Sequence, residues 1–243
     1  MFSIYRKEIM QFFSSAVGYA AVGLFLLISA LFSWVFNDTS VLESGYAGMD
    51  VFFKMAPYVF MLLIPAITMR SFSEEYQLGT IEFLATKPLS DMQIIIGKWL
   101  AAFTLAVFSL LPTLIYYYSI SQLGDPPGNI DSGGVWGSYF GLLFLAAAYV
   151  SVGLFGSSLS KNQFIAFIFS LFISYLLFDG FNRISTLDIF WGSKSYLVDK
   201  LGMLYHFNSL GRGIFDSRDA IYFISVIVLF FAGTRLVMES RKW

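Results

Sequence analysis

Six stretches of this chain run for most of a bilayer's thickness with few or no charges, and that pattern limits the fold more than any motif does. The first, Ala16 to Phe36, is 21 residues without an Asp, Glu, Lys or Arg. A helix rises 1.5 Å per residue, so such a run reaches about 31 Å, enough to cross a hydrocarbon core. The others are 51–69, 99–120, 135–159, 162–178 and 220–238. Lys54 and Arg235 interrupt two of them, each near an end, where a long stem lets the charge reach the headgroups. A cleaved signal peptide would have a shorter apolar region ending in small residues. The first run instead ends Ser33-Trp34-Val35-Phe36-Asn37-Asp38, so a retained helix is expected.

Composition agrees with a polytopic membrane protein. Charged residues make up 13% of the chain, against about 25% in soluble domains. The net charge is −1, which leaves no basic footprint for nucleic acid. Cysteine is absent and His206 is the one histidine. Thiolate metal sites and Cys nucleophiles are thereby excluded, and no metal site or catalytic residue is expected. Proline marks two bends. Pro65 predicts a kink in the second span and Pro112 one in the third.

Orientation follows from Lys and Arg in the short loops. Arg6 and Lys7 precede span one, Arg70, Lys87 and Lys98 lie in 70–98, Lys161 follows span four, and Arg241 and Lys242 end the chain. Loops 37–50 and 121–134 have neither residue type. Both termini and 70–98 are therefore expected on the cytoplasmic side, with 179–219 as a long external segment. Residues 1–13 form a different element. Phe2, Tyr5, Ile9, Phe12 and Phe13 recur at helical spacing, with Ser3, Lys7 and Gln11 opposite. That pattern predicts an amphipathic helix in the interface plane. In span four, Gly137 and Gly141 form a G-x-x-x-G face that lets a second helix approach closely, and packing within the chain is the expected use.

Ionisable residues are scarce at mid-bilayer depth, whereas ion-coupled carriers and proton relays place one there. No G-x-S-x-G or H-E-x-x-H occurs. Gly97-Lys98 is followed by Trp99 and lacks the earlier glycine of a phosphate loop, so the chain has no nucleotide-binding motif of its own.

The informative stretch is 70–98. Thr80 is placed to cap a short helix with Glu82 in its first turn, where the helix dipole favours an acid. Pro88 ends it. Ser90-Asp91 can cap a further helix running into span three. A short rigid helix held between two spans is a mechanical contact: a soluble partner pushing on it moves both at once.

The pattern Glu74-Glu75-x-x-x-Gly79-Thr80-Ile81-Glu82-x-Leu84-x-x-x-Pro88-Leu89-Ser90, followed by Gly97-Lys98, closely resembles the cytoplasmic loop of ABC-2-type transporter permeases. Within that family the chain looks most like the gliding-motility-associated permease subunits (GldF-like). The resemblance implies an all-α integral membrane protein with six transmembrane helices, an N-terminal interfacial helix and a cytoplasmic coupling helix between spans two and three. It also implies an external, re-entrant helical segment between spans five and six. Gly79, Thr80, Ile81, Glu82, Leu84 and Pro88 would belong to the coupling helix that docks on an ATP-binding subunit, and Glu74 and Glu75 to the gate helix before it. Phe2, Tyr5, Arg6, Lys7 and Ile9 would belong to the connecting helix. ATP and Mg would be held by a GldA-like ATPase partner, with no cofactor on this chain. A second permease copy, or a GldG-like companion with an extracytoplasmic domain, would complete the membrane part in the bacterial inner membrane. Two other readings use the same residues: a non-transporting anchor that passes ATPase strokes outward, and an ion-coupled carrier, which the lack of mid-membrane charge argues against.

Overall fold

The computed structural model describes residues 1–80, 90–187 and 193–240. The described residues are helical, with no strand among them. Six helical runs are long and apolar enough to cross a membrane: Gly18–Val35, Asp50–Gln77, Asp91–Leu123, Ser132–Leu159, Gln163–Ser185 and Ser217–Ser240. The all-α, six-span architecture expected from the sequence is the one observed.

The chain opens with α1 (Phe2–Ser14). Ser15 is extended, with φ −107° and ψ 147°, and breaks α1 from α2 (Ala16–Ala30). Gly18 permits this corner, because a Cβ there would collide with the Phe12 carbonyl. A π-turn, Leu31–Val35, ends span one. Span two is α3 (Asp50–Thr68) followed by α4 (Arg70–Gln77), re-set at Met69. The break lies four residues beyond Pro65, and the Met69 amide donates to the Pro65 carbonyl at 2.8 Å. The residue that bends the helix thus also accepts the bond that closes the turn.

Span three begins at α5 (Asp91–Leu110). Ser90 and Gln93 form a reciprocal capping box, which satisfies two otherwise orphaned amides. Pro112 converts one turn to 3-10 geometry (Leu111–Thr113), and α6 (Leu114–Leu123) continues the run. Span four, α7 (Ser132–Leu159), is capped by Asp131 accepting from the Gly134 amide at 3.0 Å. It is apolar on all sides, and a helix with that composition belongs inside a bundle. Leu142, Leu145, Tyr149 and Leu154 are fully buried. Spans two, three, five and six pack around it.

Span five differs from its expected limits. It starts at α8 (Gln163–Tyr175), passes through a π-turn (Leu176–Gly180) and continues as α9 (Phe181–Ser185). The run therefore ends seven residues beyond Phe178. Asp179 does not stop it, because Arg183 Nε donates to Asp179 Oδ2 at 2.9 Å across one turn. Two short helices, α10 (Ser193–Asp199) and α11 (Met203–Leu210), lead to span six, α12 (Ser217–Ser240). Span six is exposed along its length, with Ile221, Val228, Leu229 and Leu236 facing outward. Apolar residues facing outward along a helix of this length suit lipid rather than water.

Candidate functional site

The capping box at Ser90 sets the phase of α5 and places Lys98 two turns along it, on the inward face with Ile94, Ile95, Ala101 and Ala102. Lys98 is 2% exposed. An ammonium has three protons, and three acceptors meet it. Nζ donates to Glu8 Oε1 at 2.8 Å, to Glu75 Oε1 at 2.9 Å and to the Ser71 carbonyl at 2.7 Å. The Phe72 ring lies 5.2 Å away. Lys7, at the surface, adds a contact of 3.2 Å to Glu75 Oε1. Two acids and two amines therefore leave the cluster close to neutral. Isolated charges could not be buried here, but a set whose charges answer one another can.

The cluster joins three elements. Glu8 comes from α1, Ser71 and Glu75 from α4, and Lys98 from α5. Gly97 lets α1 come close: a Cβ there would lie 3.1 Å from the Ile4 side chain. Phe12, Ile67, Ala101 and Leu105 pack below, with Tyr5 and Ile9 against them. Tyr5 Oη lies 3.3 Å from Thr104 Oγ1.

The other side of α4 is fixed by span four. Ser157 Oγ accepts from the Phe72 and Ser73 amides at 2.9 and 3.1 Å and donates to the Met69 carbonyl at 2.8 Å. The first amides of a helix have no partner within it. Ser157 therefore acts as a cap supplied from another helix. Gly153, one turn earlier, has no Cβ because Thr68 occupies that space.

Segment 78–90 connects α4 to α5 in the sequence. Gly79 has φ +69°, a conformation that glycine adopts without strain, and it turns the chain out of α4. Thr80 Oγ1 contacts the Glu75 carbonyl at 3.4 Å. Ile81, Glu82, Leu84 and Pro88 lie outside the described residues. Glu74 and Glu75 are on α4 as a continuation of span two and line a cleft of about 200 Å³ with Lys7, Glu8, Arg70 and Lys98. Glu75 Oε2 is buried at its edge with no hydrogen-bond partner among the described residues.

The N-terminal helix packs Phe12 with Tyr5, Ile9 and Phe13 as its sequence pattern expects, and adds Ile4 and Glu8 to the buried stripe. Ile4, Glu8 and Phe12 face the bundle, while Phe2 is 73% exposed and Arg6 is exposed. An acid occupies the centre of the inward stripe because Lys98 meets it there. Gly137 and Gly141 face α11: a Cβ on Gly137 would strike the Leu210 carbonyl, and one on Gly141 would lie 3.0 Å from the Phe207 ring.

Sequence reasoning missed Glu8 and Ser157, and counted Lys98 among the cytoplasmic charges of 70–98, on a helix running into span three, without seeing its partners. Glu8 falls four residues after Ile4 and four before Phe12, and that register is a signal for an inward acid in search of a partner. Lys98 sits between Ile94-Ile95-Ile96 and Trp99-Leu100-Ala101-Ala102, and that apolar setting is the signal for a buried charge with a partner elsewhere in the chain. Nothing in the sequence marks Ser157 apart from its neighbours.

The sequence profile of the ABC-2 family transporter proteins matches residues 35–182, more than half of the chain. The chain belongs to the ABC-2 transporter family. No curated protein gives a significant match. Membership makes the chain a transmembrane subunit of an ABC system, not itself catalytic, and implies an ABC ATPase partner. The matched region contains α3, α4, α5 and α7, and hence Glu75, Lys98 and Ser157. Glu8 lies before it.

Proposed function

We propose that this ABC-2 chain is the permease subunit that receives the stroke of a separate ATPase on segment 78–90, beneath the cytoplasmic face of a bacterial inner membrane. The observation that carries the reading is the burial of Lys98 between Glu8 and Glu75. Through it, both helices flanking segment 78–90 and the N-terminal helix move as one body. A push on the segment reaches span two through α4, span three through α5 and span four through Ser157. The Lys and Arg distribution supports cytoplasmic termini. The exposed Phe2 and Arg6 on α1 suit a helix that also touches the membrane surface or the ATPase. The pattern from Glu74 to Ser90 supports a GldF-like subunit working in gliding motility, with ATP and Mg on a GldA-like ATPase. A GldG-like companion or a second copy would supply the other half of the membrane part.

The test is co-purification with an ABC ATPase co-expressed from the same genome, with ATP turnover measured in the reconstituted complex. Gly79→Ala, Glu82→Lys and Glu74→Gln are expected to weaken complex formation or uncouple turnover while the permease stays folded. Unchanged assembly and unchanged turnover in all three overturn the reading.

A further inference from the structure

At the end of the bundle away from Lys98, the start of span two, the end of span five and α11 enclose a pocket of about 520 Å³. That volume lies within the range of small-molecule sites. Its apolar lining includes the exposed Tyr58 and the half-buried Leu204 together with the buried Phe53 and Phe207, and it carries two cations, Lys54 and Arg212. Neither cation has an ion-pair partner among the described residues. Two acids lie nearby. Asp50 also lines the pocket and offsets one of the two cations. Asp179 is held by Arg183 at 2.9 Å. The pocket thus keeps an excess of positive charge beside aromatic surface, at the depth where a helix leaves the bilayer.

We infer that this pocket binds an anionic amphiphile, its phosphate-type headgroup between Lys54 and Arg212 and its apolar part against Tyr58 and Leu204. A guanidinium offers a planar fork to phosphate oxygens, and the lysine adds a flexible point charge. A neutral sugar or a zwitterionic headgroup would leave one positive charge unanswered. The pocket's chemistry does not depend on which ATPase drives the chain, or on whether one does.

Native mass spectrometry of the purified full-length chain tests this, with phosphatidylglycerol and phosphatidylcholine as probes. Phosphatidylglycerol is expected to be retained in preference to phosphatidylcholine. Lys54→Gln and Arg212→Gln should each weaken that retention about fivefold, the contribution of one basic residue facing an anionic lipid. Lys54→Arg and Arg212→Lys should preserve it. Both side chains are exposed, so the substitutions leave the core intact, and a circular dichroism spectrum checks this. Millimolar inorganic phosphate is expected not to displace the lipid. Equal retention of the two lipids, or full retention of phosphatidylglycerol in the Lys54→Gln/Arg212→Gln double variant, overturns the inference. Displacement by inorganic phosphate overturns the amphiphile in favour of a soluble anion.

Discussion

Lys98 Nζ lies 2.9 Å from Glu75 Oε1, across the gap between the helix that leaves the membrane and the helix that re-enters it. Both side chains are shielded from water, so their bond is not screened as a surface pair would be. Truncating one member strands the others in a poorly solvated place. Lys98→Met is expected to destabilise the chain by about 3–5 kcal/mol, the usual cost of breaking a buried charged set. The triple variant Lys98→Met, Glu8→Gln, Glu75→Gln should recover part of that loss, because no buried charge is left unanswered and the Lys7 side chain is 58% exposed to water. Thermal denaturation in detergent, comparing the single with the triple variant, measures the difference. A triple variant less stable than Lys98→Met would contradict the account.

Ser157 makes a separate prediction about α4. Its hydroxyl is the partner of two amides that no residue of α4 can satisfy. Ser157→Ala should cost about 1–3 kcal/mol for a stranded buried donor. Its local mark is faster hydrogen exchange at Phe72 and Ser73 than in the wild type, with Tyr149 and its neighbours in span four unchanged. Uniform acceleration along span four instead would mean that Ser157 supports the whole bundle rather than the start of α4.

The spans could be read from the sequence because lipid accepts few alternatives: a chain crossing it must be helical and nearly free of charge. The start of α5 was equally legible, since a capping box is a local signal that needs no tertiary partner. Pro65 and Pro112 marked where the helices are re-set. Charges that answer one another over long sequence separations were hidden. Glu8 and Lys98 are 90 residues apart, and each alone reads as a surface residue. For the same reason span five reads as ending at Phe178, just before Asp179. An acid normally closes an apolar run, and only Arg183 one turn on reveals that it is neutralised. Ser157 was invisible because a serine in a small-residue face has no property that distinguishes a cap from a spacer.

Two glycines separate close approach from mere tolerance. Gly137 presses on the Leu210 carbonyl, whereas nothing lies within 4 Å of where a Cβ on Gly23 would stand. Gly137→Ala should destabilise by about 1–3 kcal/mol, the range for overpacking against atoms that cannot move aside. Gly23→Ala should be neutral or gain up to about 1 kcal/mol from helix propensity. Melting temperatures of the two variants against the wild type decide it. Equal losses at both positions would show that α11 yields readily and that the Gly137 face is not a tight contact.

His206 ties α11 to span six. Its Nδ1 lies 2.7 Å from Asp219 Oδ1, its Nε2 lies 2.9 Å from the Lys200 carbonyl, and its ring stacks on Tyr222 at 3.9 Å. Asp219 is 3% exposed, and its second oxygen has no hydrogen-bond partner among the described residues. The carboxylate therefore depends on the imidazole. His206→Phe keeps the stacking surface but offers no N–H, and should cost about 1.5–3 kcal/mol, the worth of a hydrogen bond to a charged group. Asp219→Asn alone should cost less, because the amide leaves no charge buried. In the double variant the two losses should add to less than their sum, which a double-mutant cycle in chemical denaturation reads directly. Strict additivity would show that the two side chains stabilise the chain independently and that α11 is held to span six by other contacts.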